Sequence, residues 1–277
     1  MSMKIYGDYH THTVYSDGRS SIMDVVLAAK ERGLSEIAIT DHSVGKIAKS
    51  LRKRDFKKYL AEIKSARSEL PVLIGVEANI INTNGLIDID EKMRKKLDIV
   101  LCGVHILVFY SLRALFTFCL PNLFFSAIRF TPKFQIKYNT RVVQKAIQEN
   151  DIDIWTHPSL YFKIDVVEVA KTCAERGTLV ELNSSRISFR PIDFERMAKV
   201  GAKFIIGSDA HKIGRVGDIA RVEEFLKNCD FEPKAIINLN KTFTEFKNGT
   251  KNNDDIVGGD EAGTPRVKKR GFFRRWL

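Results

Sequence analysis

The chain has 277 residues, with 45 Lys and Arg against 34 Asp and Glu, a formal net charge of +11 and an apolar fraction of 44%. That length suits one large α/β domain with a sizeable core, and the composition is that of an ordinary globular protein. Cys102, Cys119, Cys173 and Cys229 are scattered with no CxxC pair, which argues against a disulfide framework and for free, mostly buried thiols in a reducing compartment. No basic-then-apolar leader opens the chain, so the expected location is cytoplasmic. The positive charge invites an anionic partner, whether a phosphorylated substrate, nucleic acid or an anionic membrane. Much of it is local, because residues 266–277 hold six basic residues and no acidic one.

A short apolar run at residues 3–6 leads into Asp8-Tyr9-His10-Thr11-His12. Residues i and i+2 of an extended segment share a face, so His10 and His12 can hold one metal ion. Asp17, beyond a turn with Ser16 and Gly18, can fold back as an oxygen ligand. A helix is expected over residues 22–32, closed by Gly33, and a buried strand over 36–40 ends in Asp41-His42. A charged amphipathic helix over 55–70 is stopped by Pro71. The strand 72–76 ends in Glu77, Asn84-Gly85 marks a turn between two short strands, and a short helix covers 90–97. The strand 99–104 ends in His105. After a break in the rhythm come a helix (138–150), a strand (152–156) ending in His157, a helix (166–176) and a strand (178–182) ending in Asn183-Ser184-Ser185. A helix (194–200), a strand (203–207) ending in Ser208-Asp209-Ala210-His211 and a helix (217–226) complete the pattern.

Seven strands alternating with helices imply parallel strands and right-handed crossovers. An open doubly wound sheet satisfies this, but a closed barrel fits better. All six histidines (His10, His12, His42, His105, His157, His211), with Glu77 and Asp209, fall at the C-terminal ends of predicted strands. In parallel barrels that rim is where active sites are built.

Taken together, Asp8-x-His10-x-His12 with Ser16-Asp17-Gly18, Thr40-Asp41-His42, Gly75-Val76-Glu77, Gly103-Val104-His105, Thr156-His157-Pro158 and Ser208-Asp209-Ala210-His211 resemble the PHP (polymerase and histidinol phosphatase) superfamily. The region 75–105 is most similar to the small stand-alone bacterial PHP phosphatases. The resemblance implies a distorted seven-stranded (β/α)7 TIM-like barrel carrying up to three divalent metal ions. Its ligands would be His10, His12, Asp17, His42, Glu77, His105, His157, Asp209 and His211, with Glu77 bridging two ions and Glu77, Asp209 and His211 catalytic. Asp41 would orient a ligand histidine or cap a helix. An imidazole and carboxylate set without thiolate suits zinc, manganese or iron. The expected activity is hydrolysis of a phosphate ester by metal-activated hydroxide, most simply a histidinol-phosphatase-like phosphomonoesterase. Two other readings stay open: a PHP-type 3′-5′ exonuclease or phosphodiesterase, and a non-catalytic PHP module. Lys163, Arg186, Arg190 and Arg215 are candidates for gripping phosphate.

Two stretches depart from this pattern and divide the chain into a PHP domain (1–250) and a tail (251–277). Residues 106–137 form a hydrophobic insertion with seven phenylalanines between Phe109 and Phe134. Arg113, Pro121 and Arg129 interrupt it, and it is too short of uncharged length to span a bilayer. It is expected to be a helical hairpin turning at Pro121-Asn122 that packs on the domain or on a second copy, or else a lid or membrane-contacting element. The tail reads as a flexible linker followed by a basic-aromatic segment suited to an anionic membrane or single-stranded nucleic acid.

Overall fold

The computed structural model describes residues 3–240 and residue 246, so the predicted tail lies outside the described residues. In chain order the elements are β1 (Gly7–Asp8), α1 (Ile22–Glu31), β2 (Glu36–Ile39), α2 (Phe56–Ala66), β3 (Val72–Asn79), α3 (Glu91–Arg94) and β4 (Ile99–Gly103). Then follow α4 (Leu112–Ala114), a π-helical turn (Leu115–Cys119), α5 (Leu120–Ala127) and α6 (Lys133–Glu149). The chain closes with β5 (Ile154–Trp155), α7 (Val166–Arg176), β6 (Leu179–Asn183), α8 (Pro191–Lys199), β7 (Phe204–Gly207) and α9 (Ala220–Leu226).

The seven strands pair in chain order, every neighbouring pair parallel. A parallel bridge between Thr11 and Ala210 joins the first strand's extension to the last, with His12 N–H donating to Ala210 O at 2.8 Å. The sheet is therefore a distorted (β/α)7 barrel. Its strands read as near-continuous apolar runs because both faces are buried. Ile37, Ile39, Val72, Ile74, Val100, Val180 and Phe204 face the helices. Ala38, Ile99, Leu101, Ile154, Leu179 and Ile205 form a separate cluster that fills the barrel's interior. Helices form where buried positions recur at helical spacing. In α1 these are Ile22, Val25, Val26 and Ala29, and Ser21 with Asp24 closes a capping box at its start. Such a cap contributes about 1 kcal/mol.

Three local expectations are corrected. First, β3 continues to Asn79, so Glu77 is not at the strand's end but inside it, with Leu73 and Gly75 on the interior-facing parity. Second, Asn84-Gly85 is a turn, but a single antiparallel bridge, Ile80 with Ile87, stands where two short strands were expected. Third, the insertion does form a helical hairpin, but the helix runs straight through Pro121 and turns at residues 128–132. Proline is tolerated in the first turn of α5, where the preceding π turn has already shifted the hydrogen-bond ladder. Asn122 is no turn residue. It is buried, donates to Phe118 O at 2.7 Å and exchanges amide bonds with Asn139 of α6 at 2.8 and 2.7 Å. The hairpin is thereby tied on one face to its own return helix and to the barrel through Phe118, which is buried against Phe162. The four cysteines are free, and all but Cys229 are buried.

Candidate metal centre

The nine predicted residues converge at the C-terminal rim of the barrel. Three sets have donor atoms that lie within 4.8 Å of one another: His10, His12 and Glu77; His42, Glu77 and His105; and His12, Asp17, His42 and His211. Glu77 joins the first two sets. Its Oε2 lies 3.5 Å from His10 Nε2, 3.6 Å from His12 Nε2 and 2.9 Å from His42 Nδ1. Its Oε1 lies 2.7 Å from His157 Nε2 and 3.3 Å from His105 Nε2. Asp17 spans His42 Nε2 at 3.3 Å and His211 Nε2 at 3.2 Å. Asp209 Oδ1 is 3.4 Å from His12 Nε2 and 3.6 Å from His10 Nε2.

These separations fit a metal's coordination shell. Donors held about 2.0–2.1 Å from one ion are themselves roughly 3.0–3.4 Å apart. The ring nitrogens also face each other, His10 Nε2 to His12 Nε2 at 3.1 Å and His105 Nε2 to His157 Nε2 at 3.2 Å. Two neutral imidazoles so placed either share a proton or point their lone pairs at a common cation. The clusters are thus able to bind metals, and the donor chemistry, N and O without S, suits zinc, manganese or iron.

The metal-free electrostatics divide the histidines. Burial opposes charge on His10, but the carboxylates of Glu181, Asp209 and Glu77 outweigh it and hold its pKa well above 6.5. His42 is also penalised by burial, yet Glu77 and Asp17 lift it to about 9. Burial and the charge of His42 push His12 down to about 3. Burial takes His105 to about 4 despite Glu77. Burial would raise Glu77, but His105, His42 and His10 together hold it well below the usual carboxylate range. One cluster therefore contains both charged and neutral imidazoles at neutral pH.

Several residues that sequence reasoning passed over position these ligands. Glu181, buried in β6, places Oε1 2.6 Å from His10 Nδ1 and accepts the His157 backbone N–H at 2.7 Å on Oε2. A charged residue inside an otherwise apolar strand was the available signal. Lys46 Nζ lies 2.8 Å from Asp17 Oδ2, and nothing in its sequence context marks it. Asp41 neither caps a helix nor bonds a histidine ring. It holds the loop after His12 instead, accepting from Thr13 N at 2.8 Å and Thr13 Oγ1 at 2.7 Å. Gly103 and Gly207 make room for the ligands, since a β-carbon at Gly207 would stand 2.6 Å from Glu181 Oε1 and 3.0 Å from His10 Cβ.

A cavity of about 390 Å³ opens beside Asp209 and His211, lined also by Arg19, Ser185, Lys212 and Arg215. Arg19 was not predicted. Arg215 is fixed by Asp218 and by Ser184 O at 3.2 Å. Of the other predicted cations, Lys163 lines a second cavity with Tyr161, and Tyr161 lies against the His105 and His157 rings. Arg190 is exposed, paired with Asp193 at the start of α8, and lines neither of these cavities.

The sequence model of the PHP domain matches residues 8–251. A probable phosphatase of Proteus mirabilis is 31% identical over 241 residues, covering 83% of this chain and 89% of that protein. A probable phosphatase of Thermoanaerobacter sp. is 28% identical over 272 residues, covering 94% and 100%. Among solved structures, a histidinol phosphate phosphatase of Lactococcus lactis, complexed with zinc, L-histidinol and phosphate, superposes with a TM-score of 0.56. That match covers 82% of this chain and 94% of the other at 17% identity, a likeness of fold.

Proposed function

The chain belongs to the PHP domain family, and from that premise we propose that it is a metal-dependent phosphatase hydrolysing a small phosphomonoester. The observation that carries this reading is the convergence of nine imidazole and carboxylate residues, seven of them in sets at metal-donor spacing, beside a cationic cavity. The names of the relatives support it, as does the zinc, L-histidinol and phosphate complex of the Lactococcus protein. In this reading the nine residues would hold the divalent ions, with Glu77 shared between the His10–His12 and His42–His105 sets. Divalent ions held there supply Lewis acidity towards phosphoryl oxygens and lower the pKa of water towards about 7.

The chain's own residues do the rest. Arg19, Lys212 and Arg215 offer N–H donors to an anionic ester in the cavity, where the forked guanidinium matches phosphate oxygens. Asp209 and His211 line the same cavity and stand nearest the gripped phosphate. Its volume admits a small molecule. Glu181 and Lys46 keep His10, His157 and Asp17 in place.

The test is phosphate release by the metal-loaded protein from a panel of small phosphomonoesters, histidinol phosphate included, beside a single-stranded oligonucleotide. Release from monoesters is expected, with a loss of about 100-fold or more in His42→Ala, of the order that follows misplacement of a reacting group. Shortening of the oligonucleotide without monoester turnover would make the protein a phosphodiesterase instead.

A further inference from the structure

The hairpin that leaves the barrel after His105 turns an apolar face away from the domain. Residues 112–127 form one continuous helix of α4, the π turn and α5. Its buried side carries Ala114, Phe118 and Asn122. Its outer side carries Leu112, Phe116, Leu120, Phe124 and, just past its end, Ile128, all exposed. Both series have a spacing of four. Four residues overshoot a turn of 3.6, and the π turn at Leu115–Cys119 takes up the excess, so each series stays on its own side. Phe130 and Phe134 extend the outer face, at 64% and 68% exposure.

The hairpin's own charge has one sign. Residues 99–148 contain no Asp or Glu and six Lys or Arg. Arg113, Arg129, Lys133 and Lys137 lie beside the apolar stripe in sequence, are exposed and carry no ion pair among the described residues, although Lys133 and Lys137 share a groove with Asp165 and Glu168. No helix of the described residues is long and apolar enough to cross a membrane. An amphipathic helix with aromatic residues on one side and unpaired cations at its flanks lies in the plane of an anionic bilayer surface.

We propose that the hairpin face formed by Leu112, Phe116, Leu120, Phe124, Ile128 and Phe130 docks on a membrane bearing anionic headgroups. Charge complementarity selects this occupant over a second copy of the chain, since two copies of so cationic a face repel. The docked face adjoins the metal centre. Lys46, which holds Asp17, forms an antiparallel bridge with Val108, and Ile47 N–H donates to Leu107 O at 3.0 Å. Tyr110 donates its hydroxyl to His105 O. A docked protein therefore presents its metal rim next to the bilayer surface.

The experiment is co-sedimentation of the full chain with vesicles of phosphatidylcholine alone or with 30% phosphatidylserine, in low and high salt. It compares wild type, Phe116→Glu/Phe124→Glu and Arg113→Glu/Lys133→Glu. All four positions are exposed, so circular dichroism and phosphatase activity on a soluble ester should match wild type. Binding to the anionic vesicles is expected, weakened by salt and by at least about tenfold in each double variant. Pelleting needs no turnover, so it stands or falls apart from the hydrolytic reading. Equal binding by all three proteins would overturn the proposal and shift membrane contact to the basic tail. Absence of binding with a concentration-dependent dimer that Phe116→Glu/Phe124→Glu abolishes would overturn it in favour of a self-association surface.

Discussion

Glu181→Gln isolates the support of the metal centre from the ligands themselves. Glu181 is buried, and its two oxygens are spoken for: Oε1 by His10 Nδ1 at 2.6 Å, and Oε2 by His157 N at 2.7 Å and Asn183 Nδ2 at 3.0 Å. A carboxylate on Nδ1 keeps the proton there and leaves His10 Nε2 free to face His12, Glu77 and Asp209. Glutamine has one acceptor oxygen in place of two. Whichever way its amide is turned, its NH2 meets a donor, either the His10 ring N–H or the His157 backbone N–H. One buried donor is then unsatisfied, at about 1–3 kcal/mol. Loss of such a carboxylate behind a ligand histidine costs about 10–100-fold in metal affinity or activity, or roughly 1.4–2.7 kcal/mol. The assay is competition for zinc or manganese against a chromogenic chelator, alongside kcat/KM on the best monoester. Excess metal should restore part of the lost activity, which a generally damaged fold would not allow. Metal affinity and kcat/KM both within twofold of wild type would refute the reasoning.

Metal binding should release protons at pH 7. His42, lifted to about 9, and His10, held well above 6.5, carry a second, charge-bearing proton in the metal-free protein, whereas His12 at about 3 and His105 at about 4 are neutral. Ligation displaces the bound protons, so affinity should rise with pH until about 9. Calorimetry in two buffers of different ionisation enthalpy should show at least one proton released, and none released would sink the assignment. Removing metal with a chelator should lower Tm. Free ion at 1,000 times Kd stabilises by about 4 kcal/mol, which is roughly 8–16 °C in a domain of this size; a Tm indifferent to chelator and metal alike would count against bound ions. Gly103→Ala would set a β-carbon 2.4 Å from Thr156 Oγ1 and 2.6 Å from His157 Cε1. Displacing that ring should cut kcat/KM by about 100-fold, and an unchanged value would show that His157 is not needed where it stands.

The barrel was legible because near-continuous apolar strands alternate with amphipathic helices, each short-range and each readable alone. The nine rim residues were legible because histidine is scarce here and every one follows a strand. The hairpin's turn was not legible at Pro121-Asn122. Those residues are turn formers on local grounds, and a buried amide pair with Asn139, seventeen residues on, overrides that preference. Lys46 and Arg19 were not legible because a cation in a loop carries no mark of what it faces.

Strand β6 shows why strand ends alone are an incomplete guide. It carries none of the nine predicted residues, yet three of them depend on it. His157 and Asp209 sit at φ 29° and 52°, in the left-handed region that costs a non-glycine residue about 1–3 kcal/mol. Such conformations persist where neighbours over-determine them. Glu181 holds His157 by its backbone N–H, and Asn183 Nδ2 reaches Asp209 Oδ2 at 3.2 Å while donating to Glu181 at 3.0 Å. Glu181 and Asn183 of β6 thus fix candidate ligands that follow the strands on either side, His157 after β5 and Asp209 after β7, and also His10 after β1. A strand in a metal barrel can be functional throughout without lending the metal a single ligand, and its signature is acid and amide at alternate positions of an otherwise apolar run, as in Glu181 and Asn183.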